Sequence, residues 1–362
     1  DGTLIIGTDG GFLNFLDPVN ASIKRLKITV PGYTRNFMPA SIRGFDKDKL
    51  IVGTSSGILI FNKSDQTFRY YPSMHKELKE LLVRQIEQDE HHLYMIAGGS
   101  FWIMNIKTGR WKVYKTFGDT SGENPVFGAT AIYVDRYKRI WIGAQGGISL
   151  FNSDSSFTHF AVEKDSRRPD DSYLMILAMK EIDGYLWIST FNYGLWRLRL
   201  TQNDQHLQQI ERVDIPELNQ STAYCTLPDK EGMIWITSNQ GLLKYNPVTG
   251  HLLTFLPEQG VQALEFNRLA FLETKKGEFV MGGINGINIF RPEEIKTKVH
   301  RNQYVYSTHA ELERKAEDLT FAQIEQAILT GSILEQYPDT GRGESCLIVG
   351  WAGEVPIHVV CG

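Results

Sequence analysis

Nine histidines and three cysteines are the side chains of this 362-residue sequence best suited to acid–base, nucleophilic or metal chemistry. Cys225, Cys346 and Cys361 are far apart, odd in number and without a C-x-x-C pair, which argues against a structural zinc or a disulfide framework. Short glycine-containing stretches offer a different chemistry: "AQGG" (144–147), "FNYG" (191–194), "SNQG" (238–241) and "INGI" (284–287) set neutral amides beside aromatic or aliphatic groups. Such groups match hydroxyls and ring faces, not a phosphate or a metal. "GTDGGF" and "AQGG" resemble nucleotide loops only superficially, because strand-like residues and not a helix follow them.

These stretches recur because the chain repeats itself. "RIWIGAQGGISLFN" (139–152) returns as "TLIIGTDGGFLNFLD" from Thr3, "KLIVGTSSGILIFN" from Lys49, "YLWISTFNYGLWRLRL" from Tyr185, "MIWITSNQGLLKYN" from Met233 and "EFVMGGINGINIFR" from Glu278, with a worn copy from His92. Aligned on Gly143, the units fall at Gly7, Gly53, Ala97, Gly143, Ser189, Thr237 and Gly282, separated by 46, 44, 46, 46, 48 and 45 residues. A constant period of this length in strand-like alternation matches a four-stranded propeller blade, and seven units predict a seven-bladed β-propeller. Unit one lacks a first strand and unit seven a fourth. Trp141, Trp187 and Trp235 share one position with Ile5, Ile51 and Val280, as blade-to-blade packing requires.

With 42% hydrophobic and 22% charged residues the chain can fill a sizeable core, and a net charge of −4 gives no broad cationic field for nucleic acid or anionic lipid. No apolar run reaches the ~20 residues that span a bilayer. Asp1 reads as a processing boundary without a signal peptide. The expected organisation is a propeller over 1–296 and a small α+β domain over 302–362.

The repeat also places the chemistry. Ligands of propellers sit where the loops between second and third strands meet the connections entering each first strand. The loops supply Asp9, Ser55, Gln145, Phe191, Asn192, Tyr193, Asn239, Gln240 and Asn285; the connections add Asn36, Phe37, Asn124, Phe127, Asp171, Tyr173 and Asn267. Residues 191–194 stand out, since two aromatics exceed what a turn requires, whereas Asn and Gly alone are what turns want. Of six histidines before residue 297, only His75 falls on a connection of this face, so no catalysis, cofactor or metal is expected of the propeller. "SMHKELKELLVRQIEQD" from Ser73 spaces Met74, Leu78, Leu81 and Leu82 as an amphipathic helix would.

The repeat, written D-x-x-G-x-(I/L)-W-I-G-T-x-x-G-(I/L)-x-x-(F/Y)-(N/D), and the exit "FRPEEIK" at 290–296 resemble the two-component regulator propeller repeats. These form the periplasmic sensor region of hybrid histidine kinases known from polysaccharide-sensing Bacteroidetes. The resemblance implies a periplasmic sensor, a carbohydrate ligand, signalling through a histidine kinase and a homodimer in that context. The chain itself carries no kinase domain. A scaffold for another protein is the non-enzymatic alternative.

After residue 302 helix signals replace the alternation. "THAE" (308–311) and "TFAQ" (320–323) are capping boxes, and Gly331 stands where a C′ glycine belongs. The expectation is a strand near Tyr304, helices at 309–317 and 321–330, then strands over "SILEQYP", "SCLIVGWAG" and "VPIHVVCG". This segment resembles a small bacterial family of unknown function with a ribonuclease-toxin-like fold. That resemblance implies a second, enzymatic alternative with His309, Arg314 and His358 as an acid–base and phosphate-binding set. Against it, residues 297–362 carry five Lys and Arg but nine Asp and Glu, an unfavourable balance for RNA phosphates.

Overall fold

The computed structural model describes residues 2–18, 20–117, 127–162, 174–202, 210–257, 261–291, 315, 319–337, 345–352 and 355–361. The chain carries the seven blades of a β-propeller and a small C-terminal sheet accompanied by the helix Phe321–Thr330. Blades two to six are four-stranded antiparallel meanders. Among the described residues, blades one and seven show three strands each, in line with the incomplete first and last repeats. Two compact units divide the chain, Asp1–Asp214 with blades one to five and Ile215–Gly362 with the rest.

Blade four shows why this sequence makes this sheet. Ala131–Val134, Ile140–Ala144, Gly147–Phe151 and Phe157–Ala161 pair in order, with Trp141 opposite Leu150 and Ile142 opposite Ser149. Successive residues face opposite sides of the sheet, so one alternating strand feeds two cores. Trp141 packs with Ile176, Leu186 and Ile188 of blade five, while Ile142 packs with Ile96 and Phe101 of blade three. Ile51 and Val52 divide in the same way between blades three and one. Within the first unit, each inner strand therefore packs beside the inner strand of the next blade.

Among the described residues no β-ladder joins neighbouring blades; single main-chain bonds such as Gly57 N–H to the Leu81 carbonyl (3.1 Å) and Ala129 N–H to the Gly99 carbonyl (2.8 Å) join them, and side chains add more. Gln85, at a register shift in the inner strand Val83–Gln88, donates from Nε2 to the Ile132 carbonyl at 2.7 Å and accepts from the Ile132 N–H at Oε1 at 3.0 Å. Arg43 donates to the Ile86 carbonyl at 3.0 Å and pairs with the Glu87 carboxylate. Replacing Gln85 with leucine leaves a backbone donor and acceptor of Ile132 unpaired. Chemical denaturation should show a loss of about 1–3 kcal/mol.

Three local expectations are corrected. The helix expected from Ser73 is a single 3₁₀ turn, Lys76–Glu80, followed by the strand Val83–Gln88. The apolar spacing serves other ends: Leu78 is buried, Val83 and Ile86 face the core, and Leu82 is left exposed. Gly331 is extended (φ −78°, ψ 178°), because the chain runs directly from the helix Phe321–Thr330 into the strand Ser332–Tyr337. Phe37, expected on a ligand-facing connection, is wholly buried between blades one and two. The capping box of Thr320 with Gln323 is formed, and strands Ser332–Tyr337, Ser345–Ala352 and Val355–Cys361 complete the expected C-terminal sheet. The expected strand near Tyr304 and "THAE" lie outside the described residues, as does the 309–317 helix apart from Lys315.

Candidate functional face

The turns at the opposite ends of the blades are occupied with their own architecture. Asp135, almost fully buried, accepts from the Tyr137 and Arg139 N–H groups with Oδ1 (2.9 Å each) and from Arg139 Nε (2.7 Å) and Trp141 Nε1 (3.0 Å) with Oδ2. Asp229 repeats this with Glu231, Met233 and Trp235, and Lys244 stands 3.8 Å away in place of the arginine. These aspartates, the first letter of the repeat, fix turns that contain the left-handed residues Lys138 and Gly232.

At the other end, the second-to-third-strand loops of blades two, four and five are tied to the connections entering their own blades. In the first unit Ser55 N–H donates to the Met38 carbonyl (2.9 Å), Gln145 to Phe127 (3.0 Å) and Phe191 to Met175 (3.0 Å). The inner strands Pro39–Gly44 and Ile176–Ile182 begin directly after Met38 and Met175, and three residues separate Phe127 from Ala131–Val134. The side chains at this border point outward: Met38 is 42% exposed, Leu82 36%, Phe127 48%, Met175 39% and Phe191 45%. Four successive blades thus present an apolar side chain at the entry of the inner strand, and Phe191 is held beside the last of them. Single exposed apolar residues are ordinary; a row set by one structural position is not.

The sequence-predicted residues divide into turn builders and surface groups. Asn192 is left-handed (φ 60°), Tyr193 packs against the core of blades four and five, and its carbonyl accepts from Trp196 Nε1 at 2.9 Å. Only Phe191 of that turn projects far into solvent. In the second unit, Asn239 Oδ1 accepts from Thr222 N–H at 3.0 Å, and Gln240 Nε2 donates to Ser221 Oγ at 2.6 Å, so both amides brace their loop. Asn285 is exposed, its N–H bonded to Gln262 Oε1 at 2.8 Å. Asn267 is not on a connection but inside the strand Phe266–Glu273, exposed at a register shift where Leu269 turns left-handed. Gln145 is half-buried beside Phe127 through its backbone bond. Asn124, Asp171, Tyr173, His309 and Arg314 lie outside the described residues, and of His358 only its strand position, opposite Val349, is described. His75 caps the 3₁₀ turn by accepting from Glu77 N–H at 3.4 Å, with its ring 5.4 Å from Trp102.

Met38, Leu82 and Met175 were missed because sequence reasoning looked for polar and aromatic residues on the connections. Alignment of the residue preceding each inner strand would have found them. Among the described residues no group of three or more His, Cys, Asp or Glu is placed to hold a metal, and no helix is long and apolar enough to cross a membrane.

Residues 306–362 match a family model described as "Domain of unknown function (DUF4258)". Over 209 residues, 56% of the chain, it is 24% identical to a histidine kinase of Formosa agariphila, of whose length the match spans 14%. Among solved structures, the extracellular domain of a hybrid two-component system from B. thetaiotaomicron superposes with a TM-score of 0.64 at 16% identity, over 99% of this chain and 44% of that one. PorZ, a surface component of the type-IX secretion system of Porphyromonas gingivalis, gives 0.62 at 13% identity, over 99% of this chain and 57% of that one. The chain thus spans about half the length of these solved relatives and shares with them the propeller fold.

Proposed function

We propose that this chain is an extracytoplasmic sensing propeller that takes an oligosaccharide fragment on the face described above and signals through a two-component histidine kinase. The observation that carries the proposal is the row Met38, Leu82, Phe127 and Met175 with Phe191 beside it, in which Met38, Phe127 and Met175 are held by main-chain bonds from Ser55, Gln145 and Phe191. Flat apolar and aromatic surfaces pack on sugar ring faces, and the neighbouring Gln145 supplies hydrogen-bonding capacity for hydroxyls. The likeness to a histidine kinase and to an extracellular sensor domain supports the signalling context and the location.

The test is calorimetric binding of a broad oligosaccharide set to the full chain. Phe127→Ala and Phe191→Ala should each weaken binding about tenfold, the equivalent of one stacked ring. Asn239→Ala should lower stability and leave affinity unchanged, since its side chain braces the loop. Binding that is indifferent to both phenylalanines, or absent across the set, would remove the proposal.

A further inference from the structure

The same face of blades one to three carries a cationic and aromatic cluster that the apolar row does not include. Tyr33 and Arg35 precede the inner strand of blade two, Lys79 and Glu80 end the 3₁₀ turn, and Tyr70 closes the outer strand Thr67–Tyr70. The Tyr33 and Tyr70 rings meet edge-on at 4.9 Å, with Phe37 5.9 Å behind Tyr70. Lys79 Nζ lies 4.9 Å from the Tyr70 ring centre and donates to the Tyr33 hydroxyl at 3.3 Å.

The charges in this cluster do not cancel locally. Arg35 grips Glu80 at 3.3 Å and donates to the Lys79 carbonyl at 2.9 Å, so the Glu80 carboxylate is taken. Among the described residues, no carboxylate stands within 4.0 Å of the Lys79 ammonium. Nearby Lys27, by contrast, is engaged with the Gly10 carbonyl at 2.6 Å and Asn36 Oδ1 at 2.8 Å. The Tyr70 hydroxyl is buried without a hydrogen-bond partner. Burial raises its pKa, with the Arg35 charge opposing this rise and Tyr33 and Glu80 adding to it. An ammonium lacking an anion and a buried hydroxyl lacking a partner, sharing one aromatic wall, are complementary to one kind of group.

We propose that this cluster is a seat for an oxyanion, a carboxylate, sulfate or phosphate, held by Lys79 and the Tyr70 hydroxyl with an attached ring packed on Tyr33. The seat deepens the sensing proposal and rests on it for the body of the ligand: the fragment recognised would be acidic. Its chemistry is testable without that body.

Calorimetry on the full chain at low ionic strength, with glucuronate, glucose and inorganic sulfate as separate probes, decides the matter. Glucuronate should bind in a salt-sensitive manner and glucose should not. Lys79→Met should weaken anion binding at least about tenfold, the loss of a charge-assisted hydrogen bond. Tyr70→Phe should weaken it several-fold without lowering the thermal midpoint. Sulfate equal to glucuronate assigns the seat to free anions, and a clear preference for glucuronate assigns it to acidic sugars; both support it. Failure of both anions to bind at millimolar concentration, or binding unchanged in Lys79→Met and Tyr70→Phe, would overturn it. Oligosaccharide binding that survives Lys79→Met but is lost in Phe191→Ala would sink the seat and leave the sensing face standing.

Discussion

Replacing Asp135 with alanine is expected to destabilise the protein by about 3–5 kcal/mol, the range for removing one member of a buried charge pair. The carboxylate is fully enclosed, and Arg139 is only 10% exposed at its side chain. Alanine would strand two backbone N–H groups and the indole N–H of Trp141 and take the carboxylate from Arg139 Nε, leaving the guanidinium only its other bonds, such as that to the Thr201 carbonyl. Asp135→Asn keeps Oδ1 for the backbone but turns an amide N–H toward two donors, and should cost about 2–3 kcal/mol. Trp141→Phe removes one of those donors while keeping most of the ring in its pocket. Asp135→Asn should therefore be milder in the Trp141→Phe background, and a cycle with no coupling would show that the bond contributes nothing. Denaturation followed by intrinsic fluorescence or circular dichroism reads all four proteins.

The aspartate illustrates how the sequence carried its information. The period of the repeat set the blade number, the strand order and the incomplete first and last blades, because alternation and spacing follow directly from sheets that bury both faces. The tryptophans were legible as packing for the same reason. Their indole bonds to Asp135 and Asp229 were not, since a turn aspartate six residues earlier has a sufficient local role in accepting backbone N–H groups. The lysine partner Lys244 sits two strands away from Asp229 and comes close only through folding.

The face was legible in outline and not in its members. Amides at Asn239 and Gln240 carry the composition of a binding loop, yet their bonds to Thr222 and Ser221 show that a short loop needs them for itself. The groups left outward, Met38, Leu82 and Met175, look like ordinary core residues when read one at a time. Their exposure is a property of the boundary between connection and inner strand, which sequence places only to within a few residues. Phe191 was identifiable because two aromatics in so short a turn are more than the turn requires, and the structure leaves it 45% exposed. The amphipathic spacing after Ser73 misled for a different reason. Five residues of 3₁₀ turn and six of strand place Leu78, Val83 and Ile86 inward as well as a helix would.

The spacing between blades makes the last and most local prediction. Gly143 does not lie in the left-handed region, so alanine is allowed there by its backbone, and only space forbids it. A Cβ at this position would stand 2.7 Å from Ile176 Cβ and 3.1 Å from Ala131 Cβ. Gly53 meets the Val83 carbonyl at 2.6 Å and Gly7 meets Pro39 Cγ at 2.8 Å, so in each case the obstacle belongs to the next inner strand. Gly143→Ala should cost about 1–3 kcal/mol and Gly143→Val more, as overpacking of a rigid core does. Ile176→Ala alone opens a cavity and should cost about 2–4 kcal/mol. Combined with Gly143→Ala it removes the Ile176 Cγ2 that the new methyl would meet at 2.8 Å but leaves the Ile176 Cβ at 2.7 Å, so the pair should cost less than the two apart by only part of the methyl's penalty. Strict additivity would mean that the strands move apart freely. The consequence reaches the face, because Ile176 follows Met175, and the Met175 carbonyl anchors Phe191. Folded Gly143→Ala protein should therefore bind oligosaccharide more weakly, and Ile176→Ala in that background should restore part of the affinity. Unchanged affinity in the single variant would show that the row of exposed side chains is positioned by its loops and not by the packing of the blades beneath.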